Sequence, residues 1–284
     1  MSNFVLSAFS DEIDMDLKTQ LNVLEEHGIK YMEIRGVNDK NIADLSLEEA
    51  KQVKKELDKR GAFVSSIGSP IGKIKITDPF EAHLEKFKHV LEIAKILDSK
   101  YIRMFSFFMP EGDNPDEYKE ETIRRWKAFL DVAKDYDVIL LHENEKDIYG
   151  DIPRRCMDLV KELNNSQFKL IFDFANFVQC GIDTQTAFEL LKDEVVYFHI
   201  KDALSKGHKV VPAGHGDGKI LEILKEVKQA GYNGFLSLEP HLGNFKGFAD
   251  LENGDVNEEL EESGPGKFKI AVEALNDLLN EIEN

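Results

Sequence analysis

Four residues far apart in the chain share one setting. Glu143, Asp173, His199 and Glu239 each close a short run of β-forming residues, in VILLHE (138–143), KLIFDF (169–174), VVYFHIK (195–201) and FLSLEP (235–240). Two Glu, one Asp and one His make a mixed oxygen and nitrogen set that suits Mn2+, Mg2+, Co2+ or Zn2+. Singly, each has a plainer role. An acid at a strand end caps a turn or a helix, and a histidine within a strand is commonly a hydrogen-bonded core residue. Brought together, however, the acids would repel and shift one another's proton affinities, a cost that a divalent cation removes. We therefore expect one divalent metal ion as cofactor, held by Glu143, Asp173, His199 and Glu239.

That expectation requires an architecture in which the ends of those strands converge. Four earlier runs have the same β-rich character: FVLSAF (4–9), YMEIR (31–35), AFVSSI (62–67) and YIRMFSF (101–107). The eight starts are 26 to 40 residues apart. Between them lie amphipathic helical stretches at 45–61, 78–99, 116–136, 152–165, 184–193 and 219–231, and 268–282 closes the chain. In the first of these, Ser46 with Glu49 forms a capping box and Gly61 ends the helix. Regular alternation argues for parallel strands joined by helical crossovers, and eight units in about 250 residues is the arithmetic of a (β/α)8 TIM barrel. A doubly wound sheet would usually carry a Gly-rich turn after its first strand, and SAFSDEID has none. No linker divides the chain, so one domain spanning 1–284 is expected, with 241–264 a long acidic loop before the last helix.

In such a barrel the chemistry sits at the C-terminal strand ends, where side chains alternate inward and outward. Glu143, Asp173, His199 and Glu239 have the inward parity of Leu141, Ile171, Tyr197 and Ser237. Lys201 shares the face of His199, and Asn176 is placed to reach substrate from the sixth loop. Glu33, Arg35 and Arg103 also have inward parity, either as an internal ion-pair network or as substrate contacts. Glu145 lies past its strand, in a capping or a substrate-binding role. Lys201, Asn176, Glu145 and Arg103 are thus the candidate substrate-binding residues. His142 has the opposite parity and should pack behind the wall. VVPAGHGDGKI (210–220) is either an anion nest built on Gly214, Gly216 and Gly218, near His208, Lys209 and His215, or a tight turn entering a helix.

Composition narrows the partners. The formal charge of −18 comes with no basic stripe of the kind that grips a phosphate backbone, so nucleic acid is not expected. No run approaches the roughly 18 apolar residues of a membrane helix. The start of the chain lacks the basic flank and cleavage site of a signal peptide. Cys156 and Cys180 give neither a disulfide framework nor a metal-ligand pair. A cytoplasmic location is the expectation.

In order and spacing, HENE (142–145), FDFAN (172–176), FHIKD (198–202), AGHGDGKI (213–220) and LSLEPH (236–241) resemble the sugar phosphate isomerase/epimerase superfamily, the xylose-isomerase-like barrels that also include endonuclease IV-type enzymes. The resemblance covers essentially the whole chain. It implies a single divalent metal on Glu143, Asp173, His199 and Glu239, with Glu143 and Glu239 as the catalytic acid–base pair. It further implies a small carbohydrate substrate, proton transfer through a metal-stabilised enediolate and, by family habit, a homo-oligomer. Two positions depart from the ketose 3-epimerases: Asn176 stands where they carry His, and Ser205 where they carry Arg. An isomerase or epimerase of a sugar, sugar phosphate or cyclitol is therefore expected, with a dehydratase of a keto-sugar or inosose as the alternative. An endonuclease would need further His ligands after strands two and three, where EIRGVN and SSIGSP have none. A barrel that only binds sugar would not need the intact quartet.

Overall fold

The computed structural model describes residues 3–244 and 262–283. Eight strands build its centre: β1 (Asn3–Phe9), β2 (Tyr31–Ile34), β3 (Phe63–Ile67), β4 (Tyr101–Met104), β5 (Ile139–Glu143), β6 (Phe168–Asp173), β7 (Val195–Ile200) and β8 (Asn233–Leu238). β1 pairs in parallel with both β2 and β8, which closes the ring in the order β1–β8–β7–β6–β5–β4–β3–β2. The fold is a single (β/α)8 TIM barrel. All eight expected strands are present. The fourth stops at Met104 rather than at 107, and the sixth at Asp173, because Phe174 already begins a helix. The stretch expected to be a long acidic loop lies mostly outside the described residues, at 245–261.

Around the strands run α1 (Leu17–Glu26), α2 (Leu47–Arg60), α3 (Glu81–Ile96), α4 (Lys119–Ala133), α5 (Pro153–Leu163), α6 (Phe174–Gln179), α7 (Thr184–Leu191), α8 (Ile220–Gln229) and α9 (Pro265–Glu283). α2 starts and stops as its sequence directs. Ser46 and Glu49 cap it reciprocally, and Gly61 takes the left-handed conformation at φ 63° that ends it. The sequence reading names no counterpart of α1. Its buried face carries Gln20 among Leu17, Leu21 and Leu24, and that polar residue breaks the apolar stripe. In the fold Gln20 donates to the carbonyls of Asp14 and Gly36 and accepts from Ser10. Among the described residues no helix is long and apolar enough to cross a membrane.

The barrel interior changes character along its axis. At the N-terminal end Tyr31, Phe63, Tyr101 and Phe235 interlock ring against ring. Above them Leu141, Ile171 and Tyr197 pack together, and the Tyr197 hydroxyl joins a chain through Ser65 to Ser7. The C-terminal end is filled by charged groups. A register shift between Met32 and Glu33 in the β2–β3 pairing is the local irregularity beside the inward-facing Glu33.

His142 faces outward, as its parity requires. Its ring packs against Trp126 and Phe168, and Nε2 lies 2.9 Å from Ser106 Oγ. His83, on α3, accepts the backbone N–H of Gly72 at 2.7 Å. Burial pushes the pKa of His142 down to about 3, and burial, with Lys86 and Arg125 beside it, pushes His83 down to about 4. Both rings are therefore neutral when folded, and the unfolded chain takes up their protons first, below about pH 6.5. Because the unfolded state then binds more protons, stability falls as pH falls. Urea melts should show a loss on the order of 2 kcal/mol per histidine between pH 6.5 and pH 5, and H142Q should flatten that slope. A slope in H142Q as steep as in the wild-type protein would contradict the assignment, and the comparison between the two is the test because the raised Asp173 carboxyl acts in the opposite direction in both.

Candidate active site

β5, β6, β7 and β8 deliver Glu143, Asp173, His199 and Glu239 to one point. One ligating atom of each lies within 4.8 Å of the others, and all four side chains are buried. His199 Nδ1 is 3.0 Å from Glu143 Oε1, 3.5 Å from Glu239 Oε2 and 3.8 Å from Asp173 Oδ2. One oxygen of each acid thus faces the imidazole. The second oxygens of the two glutamates point elsewhere. Arg103 Nη1 lies 3.4 Å from Glu143 Oε2 and 3.8 Å from Glu239 Oε1, and Arg35 Nη1 is 3.0 Å from Glu239 Oε1.

Three of the four substrate-binding candidates touch this group. Lys201 Nζ spans Asp173 Oδ2 at 3.1 Å and Glu239 Oε2 at 3.0 Å. Asn176, in the first turn of α6 rather than in a loop, donates from Nδ2 to the Asn144 carbonyl at 2.9 Å and reaches Glu143 Oε1 at 3.4 Å. Its backbone N–H meets Asp173 Oδ1, so Asp173 both caps α6 and faces the cluster. Arg103 stacks on Phe105 and Phe9 while reaching the two glutamates, and it donates to the Gly68 carbonyl. Glu145 is the exception. It pairs with Lys73 at 3.2 Å and makes no contact with the quartet.

Phe9, Asp11, Glu12 and His241 join the cluster without having been expected there, and Arg35 takes the ion-pair alternative of its two expected roles. Phe9 sets its ring edge-on to His199, with the Arg35 guanidinium 4.5 Å from its centre. Arg35 is itself held by Asp11 and Glu12, which follow β1 in SDEID. His241 donates its backbone N–H to Glu12 and brings Nε2 within 3.4 Å of Glu239 Oε1. The acids of SDEID and the histidine of LEPH were the available signal, since each directly follows a barrel strand. Glu33, expected from its inward parity in an internal ion-pair network or against substrate, accepts from His199 Nε2 at 3.1 Å.

The electrostatics follow from burial. Burial pushes the Asp173 carboxyl above its ordinary range, although Lys201 pulls the other way. Burial would also raise Glu239, but Lys201 and His241 hold it well below. His199 would be lowered by burial, and the carboxylates of Glu143 and Glu33 instead hold it well above its ordinary value. Asp173 Oδ2 and Glu143 Oε2 are buried with no hydrogen bond, and their contacts are with the cations Lys201 and Arg103. One oxygen from each of three carboxylates around a single imidazole nitrogen, Asp173 Oδ2 among them, forms a set that a divalent cation fits.

The Gly-rich turn resolves differently. The amides of Gly214, Gly216 and Gly218 do converge on an anion, but it is the chain's own Asp202, with distances of 2.9 Å. A side chain at Gly216 would place Cβ 2.3 Å from that carboxylate, so the turn needs glycine there. His208, Lys209 and His215 are exposed. Ser205, at the departure from the 3-epimerase pattern, is an exposed turn residue bonded to Asp217.

A family model described as a xylose isomerase-like TIM barrel matches residues 21–263. A probable L-ribulose-5-phosphate 3-epimerase of Mycoplasma pneumoniae is 24% identical over 143 residues, half of this chain and 47% of that protein. Only about half of that relative's length is therefore spanned. The 3-dehydroshikimate dehydratase of Bacillus anthracis is 21% identical over 75% of this chain and 81% of its own. Among solved structures, the IolI protein with a binding zinc atom superposes with a TM-score of 0.76 at 17% identity, covering 98% of this chain and 99% of that one.

Asp202 supplies the acceptor for four backbone N–H groups, that of Ala203 included. D202A should therefore destabilise the fold by about 2 kcal/mol or more, since the Ala203 and Gly218 bonds are buried and a buried donor left unpaired costs roughly 1–3 kcal/mol. D202N, which keeps one carbonyl acceptor, should cost less. Chemical denaturation of the three proteins checks the order, and equal midpoints would show that the latch adds nothing.

Proposed function

The chain belongs to the xylose isomerase-like TIM-barrel family, and on that premise we propose that it is a divalent-metal-dependent isomerase or epimerase of a sugar, sugar phosphate or cyclitol. The observation that carries this reading is the buried convergence of Glu143, Asp173, His199 and Glu239 at the C-terminal end of the barrel. Those four residues would hold the ion, and Mn2+, Mg2+, Co2+ and Zn2+ all suit the donor set. When bound there, a divalent cation polarises a substrate carbonyl and acidifies the adjacent C–H as a Lewis acid.

The chain's own residues then move the proton. Glu143 ends β5 and Glu239 follows β8, so two separate strands supply the two carboxyls that would serve as base and acid. Arg103, between their outer oxygens, stabilises the carboxylate form of whichever glutamate has given up its proton. Lys201 and Asn176, both beside the quartet, would orient substrate hydroxyl or carbonyl oxygens. Glu145, with Lys73, would contact a part of the substrate further from the reacting carbon.

A dehydratase is the second reading, favoured by the Bacillus anthracis relative, which matches three quarters of this chain. It uses the same proton abstraction and differs in the bond broken next.

A screen of ketoses, ketose phosphates and inososes in D2O with Mn2+ would test both. Solvent deuterium at a carbon-bound position is expected for one class, with a C–O bond lost as well if the enzyme is a dehydratase. No exchange in any class would sink the proposal. E143Q and E239Q should each lower exchange at least about 100-fold, the usual scale of general acid–base catalysis. Unchanged turnover in both, with metal still bound, would remove the acid–base roles.

Metal uptake should also release protons. His199 is protonated near neutral pH in the metal-free protein, because its pKa is held well above the ordinary value. A ligand must shed its proton before it binds, so affinity should rise with pH through the neutral range. Calorimetry in two buffers of different ionisation enthalpy would count the protons released, and a count of zero at pH 7 would contradict the assignment of His199.

A further inference from the structure

Glu33 is fully buried on β2, across the His199 ring from the three acids of the quartet, and the proposed chemistry gives it no part. Burying a carboxylate is costly, and a buried ion pair is a weak source of stability compared with apolar packing. Beneath it the hydroxyls of Ser7, Ser65 and Tyr197 bond to one another, and the Ser237 hydroxyl of that layer interacts with Glu33. What Glu33 does touch is specific. Its Oε2 lies 3.1 Å from His199 Nε2, and among the described residues this is the one hydrogen-bond partner of that nitrogen.

The two ring nitrogens of His199 therefore face different surroundings. Nδ1 looks at oxygens of Glu143, Glu239 and Asp173, and Nε2 looks at Glu33. An imidazole can ligate a cation through Nδ1 only if that nitrogen carries a lone pair, which leaves the proton on Nε2. An anionic acceptor on the Nε2 side selects this tautomer and strengthens the ring as a donor. Phe9 and Tyr197, edge-on at 5.1 and 5.8 Å, limit how far the ring can turn.

We infer that Glu33 is the positioning residue of the metal centre, accepting the Nε2 proton of His199 and so holding its Nδ1 lone pair toward Glu143, Asp173 and Glu239. The inference rests on the metal site proposed above. It makes Glu33 part of the site without being a ligand, since it stands on the opposite edge of the ring.

Equilibrium competition against a chromogenic chelator, with Mn2+ and with Zn2+, tests it on wild type, E33A and E33Q. Thermal melts of the metal-free proteins report folding separately. E33A should bind either metal 10–100-fold more weakly, the usual loss when such a partner is removed. E33Q keeps a carbonyl acceptor while losing the charge, and it should retain most of the affinity. Should E33A fail to fold, E33M, which fills the space without an acceptor, takes its place. Equal affinities in wild type and the acceptor-less variant would overturn the role of Glu33 and leave the metal site standing. E33Q as weak as E33A would also overturn it, because the effect would then be charge acting through space. A wild-type protein that binds neither metal would remove the metal site and this inference together.

Discussion

Buried negative charge is the constraint around which the rest of the barrel mouth is organised. Asp11, Glu12, Glu33, Glu143, Asp173 and Glu239 are all buried there, and the buried fixed cations among them are Arg35, Arg103 and Lys201. Six carboxylates against three cations leave a deficit of three positive charges in a region shielded from water. A protein can meet such a deficit by protonating groups or by binding a cation. The raised proton affinities of Asp173 and His199 are the first response. The donor geometry around His199 Nδ1 suits the second.

The fold makes that concentration of charge tolerable by separating it from the core along the barrel axis. Aromatic rings seal the N-terminal end, hydroxyls and aliphatic groups fill the middle, and ions are confined to the C-terminal end. Strand parity is what enforces the order. Leu141 and Glu143, Ile171 and Asp173, and Tyr197 and His199 are consecutive inward positions, so each strand passes from packing to chemistry in one step of two residues. Outward neighbours behave oppositely. His142 lies between Leu141 and Glu143 yet packs neutral against Trp126 in the helix layer.

That step of two is why much of the site was legible in the sequence. Four β-rich runs ending in Glu, Asp, His and Glu specify convergence once a closed parallel barrel is accepted, and the barrel follows from the regular alternation of elements. Other features lie beyond a reading by periodicity. Gln20 hides α1 because its partners, two backbone carbonyls and Ser10, lie outside the helix. Asp11 and Glu12 belong to a 3-10 turn after β1 and acquire meaning only through Arg35, more than twenty residues on. The Gly-rich turn announced an anion without saying whose, and the answer was Asp202, twelve residues before the first of those glycines. In each case the decisive contact is between residues that no local pattern connects.

The split surroundings of the two glutamates bear on how one carboxylate can serve two ends. In the proposed roles, each glutamate would ligate a cation with one oxygen and exchange a proton with the other, and the two oxygens do stand in unlike environments. Glu143 turns Oε1 toward His199 and Asn176, and Oε2 toward Arg103. Glu239 turns Oε2 toward Lys201 and His199, and Oε1 toward Arg35, Arg103 and His241. A guanidinium suits the outer position better than an ammonium, because its planar fork can meet two carboxylates at once while staying charged at any working pH. Arg35 uses that fork fully, binding Asp11, Glu12 and Glu239 together. The acids of SDEID thereby act on Glu239 at second hand. They fix the cation that fixes the outer oxygen, and they leave the inner oxygen directed at the centre where a cation would sit.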